Sequence, residues 1–253
     1  MVFDTHTHSK LSTDSKMNAE DGIRAARNKG IGIIFTEHYD ADCPHPFPEF
    51  RVDGAAYLKA YEKYRAADVL LGIEIGLSMD FLQENKDAAA RDFDVVIGSV
   101  HSVRGVDIYT DLNGGAKSIN AGEYLTYMKE LLNQDIFFDV LGHIDYPQRY
   151  VENPEEYDYL KNSDIYDEIL HICVKKHIVP EINSKRLGDD KAFRQLAPIY
   201  AKYREFGGLF VTIGSDAHNP KNIGLNFKEA FDMARTFGLS PVYFEKRKSC
   251  TID

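Results

Sequence analysis

Cysteine is scarce in this chain. The three present, Cys43, Cys173 and Cys250, lie far apart and form no CxxC pair, which excludes a disulfide framework and a thiolate zinc site. No apolar run approaches the ~18 residues that cross a membrane, so no membrane partner is expected. Asp4 and His6 interrupt the one apolar stretch near the start; no secretory leader is expected, and a cytoplasmic home follows by default. Basic residues are in deficit, 30 against 40 acidic ones, for a formal charge of -10, and they form no stripe; no nucleic-acid partner is expected. Familiar catalytic devices are missing too. There is no GxxxxGK[ST] phosphate loop, no GxGxxG after the first apolar run and no GxSxG elbow.

What is present is the composition of a soluble globular protein, 43% hydrophobic and 28% charged over 253 residues, enough for one large α/β domain spanning residues 1–253. Apolar runs of strand length recur: "MVFDTHTH", "IGIIFTEH", "VLLGIEIG", "FDVVIGSVH", "IFFDVLGHID", "HIVPEINSK" and "LFVTIGSDAH". Helix-like spacing fills the intervals, at 19–29, 55–67, 123–132, 165–176 and 190–205. That alternation predicts parallel strands joined by crossover helices, and seven units predict a seven-stranded α/β barrel. Two turn-rich stretches, after His38 and after His101, read as loops over one face. The tail "PVYFEKRKSCTID" reads as an extra strand or an edge segment.

Chemistry returns once per unit, at the carboxyl end of each run. His6 with His8, then His38, Glu74, His101, His143, Glu181, and Asp216 with His218 follow at intervals of 32, 36, 27, 42, 38 and 35 residues. In a closed barrel these ends converge on one face, where active sites are built. Strand residues two apart face the same side, so His6 and His8 point together with Cα atoms roughly 6.7 Å apart, and Asp216 and His218 repeat the pattern. One HxH is a weak sign of metal. Six of the nine histidines at strand ends, joined by two carboxylates, are a strong one. Glu74 sits inside an apolar strand, where an unpaired charge would cost several kcal/mol, so it must meet a cation or carry a proton. His171 and His177 fall on or beside a helix and read as ordinary; His45 lies in the first loop, where it could touch substrate.

"DTHTHSKLSTD", "FTEH", "GIEIG", "GSVHS", "GHIDYPQR", "EINSK" and "GSDAHNP", in that order over positions 4 to 220, resemble the polymerase-and-histidinol-phosphatase (PHP) domain family, and most its histidinol-phosphate phosphatase branch. The resemblance implies a distorted (β/α)7 barrel with a trinuclear centre at the C-terminal ends of the strands. It implies His6, His8, Glu74 and Asp216 on one metal, with Glu74 bridging to a second held by His101 and His143. A third would take Asp14, His38 and His218. Family members often carry histidine where this chain has Asp14, and an aspartate remains a competent ligand. Two to three divalent ions are expected, with zinc, iron and manganese all suited to such ligands.

Three divalent ions would outweigh Asp14, Glu74 and Asp216 and give an acidic protein a local site for a phosphate dianion. The expected activity is metal-dependent phosphomonoester hydrolysis by a metal-bound hydroxide, with Glu74 and Asp216 positioning it. The resemblance makes L-histidinol phosphate the expected substrate, in histidine biosynthesis, without fixing an oligomeric state. The alternatives are another small phosphate ester or a nucleotide, and a non-catalytic metal-binding regulatory domain. Arg149 and Arg186 are the candidates for gripping phosphate oxygens through their planar forks. Lys185 rivals Arg186, since neighbours on an extended chain point to opposite sides.

Overall fold

The computed structural model describes residues 1–43 and 50–252. In chain order it builds β1 (Phe3–Thr7), α1 (Ala19–Asn28), β2 (Gly32–Asp40), α2 (Gly54–Tyr61), β3 (Val69–Gly76), α3 (Leu82–Ala89) and β4 (Val96–Ser99). A two-stranded ribbon, β5 (Ser102–Val103) with β6 (Val106–Asp107), then leads to α4 (Ile108–Leu112), α5 (Ala121–Leu132) and β7 (Val140–Leu141). The remainder is α6 (Ser163–Lys176), β8 (Val179–Asn183), α7 (Asp190–Glu205), β9 (Phe210–Gly214), α8 (Phe227–Thr236), β10 (Ser240–Glu245) and β11 (Lys248–Thr251).

Seven strands pair in parallel in the order β1-β2-β3-β4-β7-β8-β9, matching the seven apolar runs, and β10 and β11 extend the sheet beyond β9. The arrangement is a distorted barrel whose ends meet without a continuous ladder. β1 and β9 are linked by Asp216 N–H to the His6 carbonyl and His8 N–H to the Ala217 carbonyl, both 2.9 Å, around one parallel bridge at Thr7 and Ala217. Gly214 permits this approach: a Cβ there would stand 2.4 Å from His6 Cβ and 2.3 Å from a Glu181 oxygen.

Strands covered on both faces read as continuous apolar runs, and every residue of β3 is buried. Ile33, Phe35, Leu71 and Ile73 point outward to the helices. The alternate residues Ile34 and Leu70 point inward with Phe3, Ile97, Val140 and Val179. Along β2 and β3 the inward set continues to His38 and Glu74, which pair in register, so the apolar plug and the polar site are two storeys of one interior. On β1 the pairing slips between Asp4 and Thr7, and that irregularity lets Phe3 and His6 share the inside although they are three residues apart.

The tail forms a hairpin that crosses beneath the barrel. Val242 and Phe244 join the inner plug, and Arg247 reaches the Asp139 carboxylate and the Phe137 carbonyl beyond it. The stretch after His101, read as a loop, contains the β5–β6 ribbon and α4; α3 and α8 fill two of the intervals for which no helix bounds are predicted.

Candidate metal centre

Each strand end delivers its side chain to one place. Glu74, at the centre and fully buried, has Oε2 3.1 Å from His38 Nδ1, 3.2 Å from His6 Nε2 and 3.4 Å from His8 Nε2. Its Oε1 lies 2.9 Å from His143 Nε2 and 3.3 Å from His101 Nε2, and accepts the Ser99 hydroxyl at 2.6 Å. Asp216 Oδ1 stands 3.5 Å from His8 Nε2 and 3.4 Å from His218 Nδ1. Asp14, on the loop after β1, reaches His218 Nε2 at 2.9 Å and His38 Nε2 at 3.6 Å.

Four overlapping triads have ligand atoms within 4.8 Å of one another: His6–His8–Asp216, His6–Glu74–His143, His38–Glu74–His101 and His8–His38–His218. The fit to cations is visible in what these atoms lack. His6 Nε2, His8 Nε2, His38 Nδ1 and Glu74 Oε2 are buried without a hydrogen-bond partner, an arrangement that is expensive unless something positive sits among them.

Protein groups alone already polarise the cluster. Burial would raise the Glu74 carboxyl, but His6, His101 and His38 hold it well below the usual carboxylate range. Burial, then His38 and His218, hold His8 well below the usual imidazole value; His143 is lowered chiefly by burial. His38 goes the other way, to about 9, because Glu74 and Asp14 outweigh its burial. Neutral His8 and His143 are the form that binds metal.

Behind the candidate ligands stands a supporting shell to which the sequence reading assigned no role. Glu181 meets His6 Nδ1 at 2.7 Å and accepts the His143 backbone N–H at 2.8 Å. Asp40 meets His101 Nδ1 at 3.0 Å. Both had a signal: Glu181 ends a strand, and Asp40 follows His38 by two residues and so shares its face.

The centre floors a cavity of about 380 Å³ walled by Tyr109, Tyr146, Tyr150 and Phe50. Arg149 lines it with Lys185, and both reach Asp216 Oδ2, at 2.5 and 3.2 Å. Arg149 Nε and Nη2 are buried and unpartnered. Arg186 is placed differently from the expectation: its guanidinium is taken up by Asp145 at 2.7 Å, Gln148 at 3.2 Å and Gln195 at 3.0 Å, away from the cavity lining. The two residues lie in a turn just past β8, closed by the Leu187 N–H to the Ser184 carbonyl at 3.0 Å, and there Lys185 turns to the cavity and Arg186 turns away. His171 is an exposed helix residue and His177 caps α6 in the left-handed conformation, as ordinary as expected; His45 lies outside the described residues.

A Clostridium acetobutylicum protein called probable histidinol-phosphatase is 45% identical over 251 residues, 98% of each chain. The chain belongs to the histidinol-phosphatase family. A Thermotoga maritima member of that name is 30% identical over 99% of each chain. The crystal structure of the histidinol phosphate phosphatase of Lactococcus lactis, complexed with zinc, L-histidinol and phosphate, matches this family member with a TM-score of 0.89 at 25% identity, covering 99% of both chains. No protein-family model matches the chain.

Proposed function

We propose that this chain, as a PHP-type histidinol-phosphatase, hydrolyses L-histidinol phosphate to L-histidinol and phosphate. The observation that carries the reading is the ring of unpartnered imidazole nitrogens around Glu74, at the foot of a cavity with a buried, partly unpaired arginine. His6, His8, Glu74 and Asp216 would hold one ion, Glu74, His101 and His143 a second, and Asp14, His38 and His218 a third. Divalent ions, when bound, supply Lewis acidity and make a nucleophile of water at neutral pH. Zinc is the first candidate, since the Lactococcus relative was crystallised with it.

The chain's own residues do the rest. Arg149 Nε–H and Nη2–H, already desolvated, bind phosphate oxygens with no further loss of water. Lys185, whose Nζ shares the Asp216 Oδ2 contact and lines the same cavity, adds a second charge and takes the phosphate-binding role expected of Arg186. Their shared contact holds Asp216 with Oδ1 toward His8 and His218. The tyrosines keep solvent from the leaving group. On this reading residues 1–253 are one catalytic domain working in the cytoplasm on a biosynthetic intermediate.

Phosphate release from a panel of small monoesters by zinc-loaded protein tests the proposal. L-Histidinol phosphate is expected to exceed the others in kcat/KM by at least about tenfold, ~1.4 kcal/mol in the transition state. Turnover of other esters with none of histidinol phosphate would sink the substrate assignment; no turnover of any would sink the activity.

A further inference from the structure

His8 differs from its neighbours in what holds its outer nitrogen. Nδ1 of His6 meets the Glu181 carboxylate, that of His101 the Asp40 carboxylate and that of His218 the Asp216 carbonyl, at 2.7, 3.0 and 3.0 Å. These groups only accept, so each sets its imidazole with the proton on Nδ1 and a lone pair on Nε2. Nδ1 of His8 meets the Ser12 hydroxyl instead, at 3.3 Å. A hydroxyl both donates and accepts, and alone would allow either tautomer.

Glu37 removes the ambiguity. It follows Thr36 on β2 and is buried on the side opposite His38, where it accepts the Ser9 backbone N–H at 3.1 and 3.2 Å and has no ion pair among the described residues. Its Oε2 accepts the Ser12 hydroxyl at 2.6 Å. The single Ser12 proton is therefore committed to Glu37. The Ser12 lone pairs then face the His38 backbone N–H, at 3.1 Å, and His8. His8 must carry its proton on Nδ1 and present a bare Nε2 to Glu74 and Asp216, 3.4 and 3.5 Å away.

We propose that Glu37 and Ser12 form a relay that sets the tautomer of His8, making both of them positioning residues for metal binding. The inference rests on the reading of His8 as a metal ligand. It also accounts for a buried carboxylate that forms no ion pair among the described residues and that no step of the hydrolysis uses.

The test uses the full chain with zinc as the probe. Wild type, Ser12→Ala, Ser12→Thr and Glu37→Gln are loaded with zinc and titrated with a chromophoric chelator. Glu37→Gln brings an N–H donor within reach of Ser12 and frees the hydroxyl proton to point at His8. Loss of the outer partner of a ligating histidine lowers metal affinity about 10- to 100-fold, which is the loss expected for Ser12→Ala and Glu37→Gln. Ser12→Thr keeps the hydroxyl and is expected to recover most of the affinity. Imidazole 15N spectra of zinc-free protein supply a readout that a packing role would not move: Nδ1–H at His8 in wild type, shifting toward Nε2–H in Glu37→Gln. Unchanged zinc retention in Glu37→Gln, or Nε2–H already in wild type, would overturn the relay. Ser12→Ala also removes the acceptor of the His38 N–H, so Glu37→Gln, which keeps it, separates tautomer from loop packing. Wild-type protein that retains no zinc would count against the metal reading itself, while the His8 spectrum would still decide the relay.

Discussion

Glu74 offers both of its oxygens to five imidazoles, so its substitution distinguishes a shared ligand from a structural ion. Glu74→Gln keeps the volume and removes the charge. It is expected to lower kcat/KM by at least about a hundredfold, ~2.7 kcal/mol, and to reduce bound zinc while circular dichroism stays native. Near-normal turnover would mean the carboxylate serves only the fold. The two neighbouring cations on the segment after β8 should part company. Arg149→Ala and Lys185→Ala are expected to slow hydrolysis tenfold or more. Arg186→Ala leaves Asp145, itself buried, without its cation, and should instead lower unfolding stability by about 3 kcal/mol, read from a denaturant midpoint, with KM little changed. An Arg186→Ala enzyme that is stable but weak for substrate would restore Arg186 to the phosphate.

Strands show how far the elements could be read in advance. All seven barrel strands were legible because buried parallel strands are apolar throughout and each ends on a side chain too costly to bury without purpose. Nine candidate ligands could be named from those ends and from the motif around Asp14. Two of the helices had weak signals: α3 buries only Asn85, Ala88 and Ala89, and α4 is barely more than a turn inside a Gly-rich stretch. The register slip in β1 was also unreadable, since it depends on how the strand pairs and not on its composition. Facing of Lys185 and Arg186 was a choice between two, settled by the turn that follows β8. At the seam, Gly214→Ala is expected to cost about 1–3 kcal/mol, the usual scale of overpacking, because the added methyl must displace His6 or Glu181. Thermal unfolding and zinc content should fall together. A variant that loses neither would show that β1 and β9 have room to separate.

Across the whole molecule, protons and metal compete for the same interior. His6, His38 and His101 are all drawn above the ordinary imidazole value: burial opposes it, but Glu74 with Glu181, Asp14 and Asp40 prevail. A folded-state value above the unfolded one gives stability that is complete below about 6.5 and is lost as pH rises through it, for His38 through about 9. Chelator-stripped protein should therefore take up protons at pH 8, and its melting temperature should climb between pH 9 and 7. Zinc-loaded protein should show the opposite trend, releasing metal on acidification because its ligands must be neutral. Parallel trends in the two forms would refute the competition. The seam between β1 and β9 adds a temporal order to this chemistry. His6 and His8 on one side meet Asp216 and His218 on the other across a gap of more than two hundred residues of chain. During synthesis the first two histidines emerge with nothing opposite them, and the two ions that would use Asp216 or His218 cannot be held in full until the seventh strand has docked. An ion shared across that seam then acts as a clasp on a ring already drawn together, so that its arrival marks the end of folding and not its beginning.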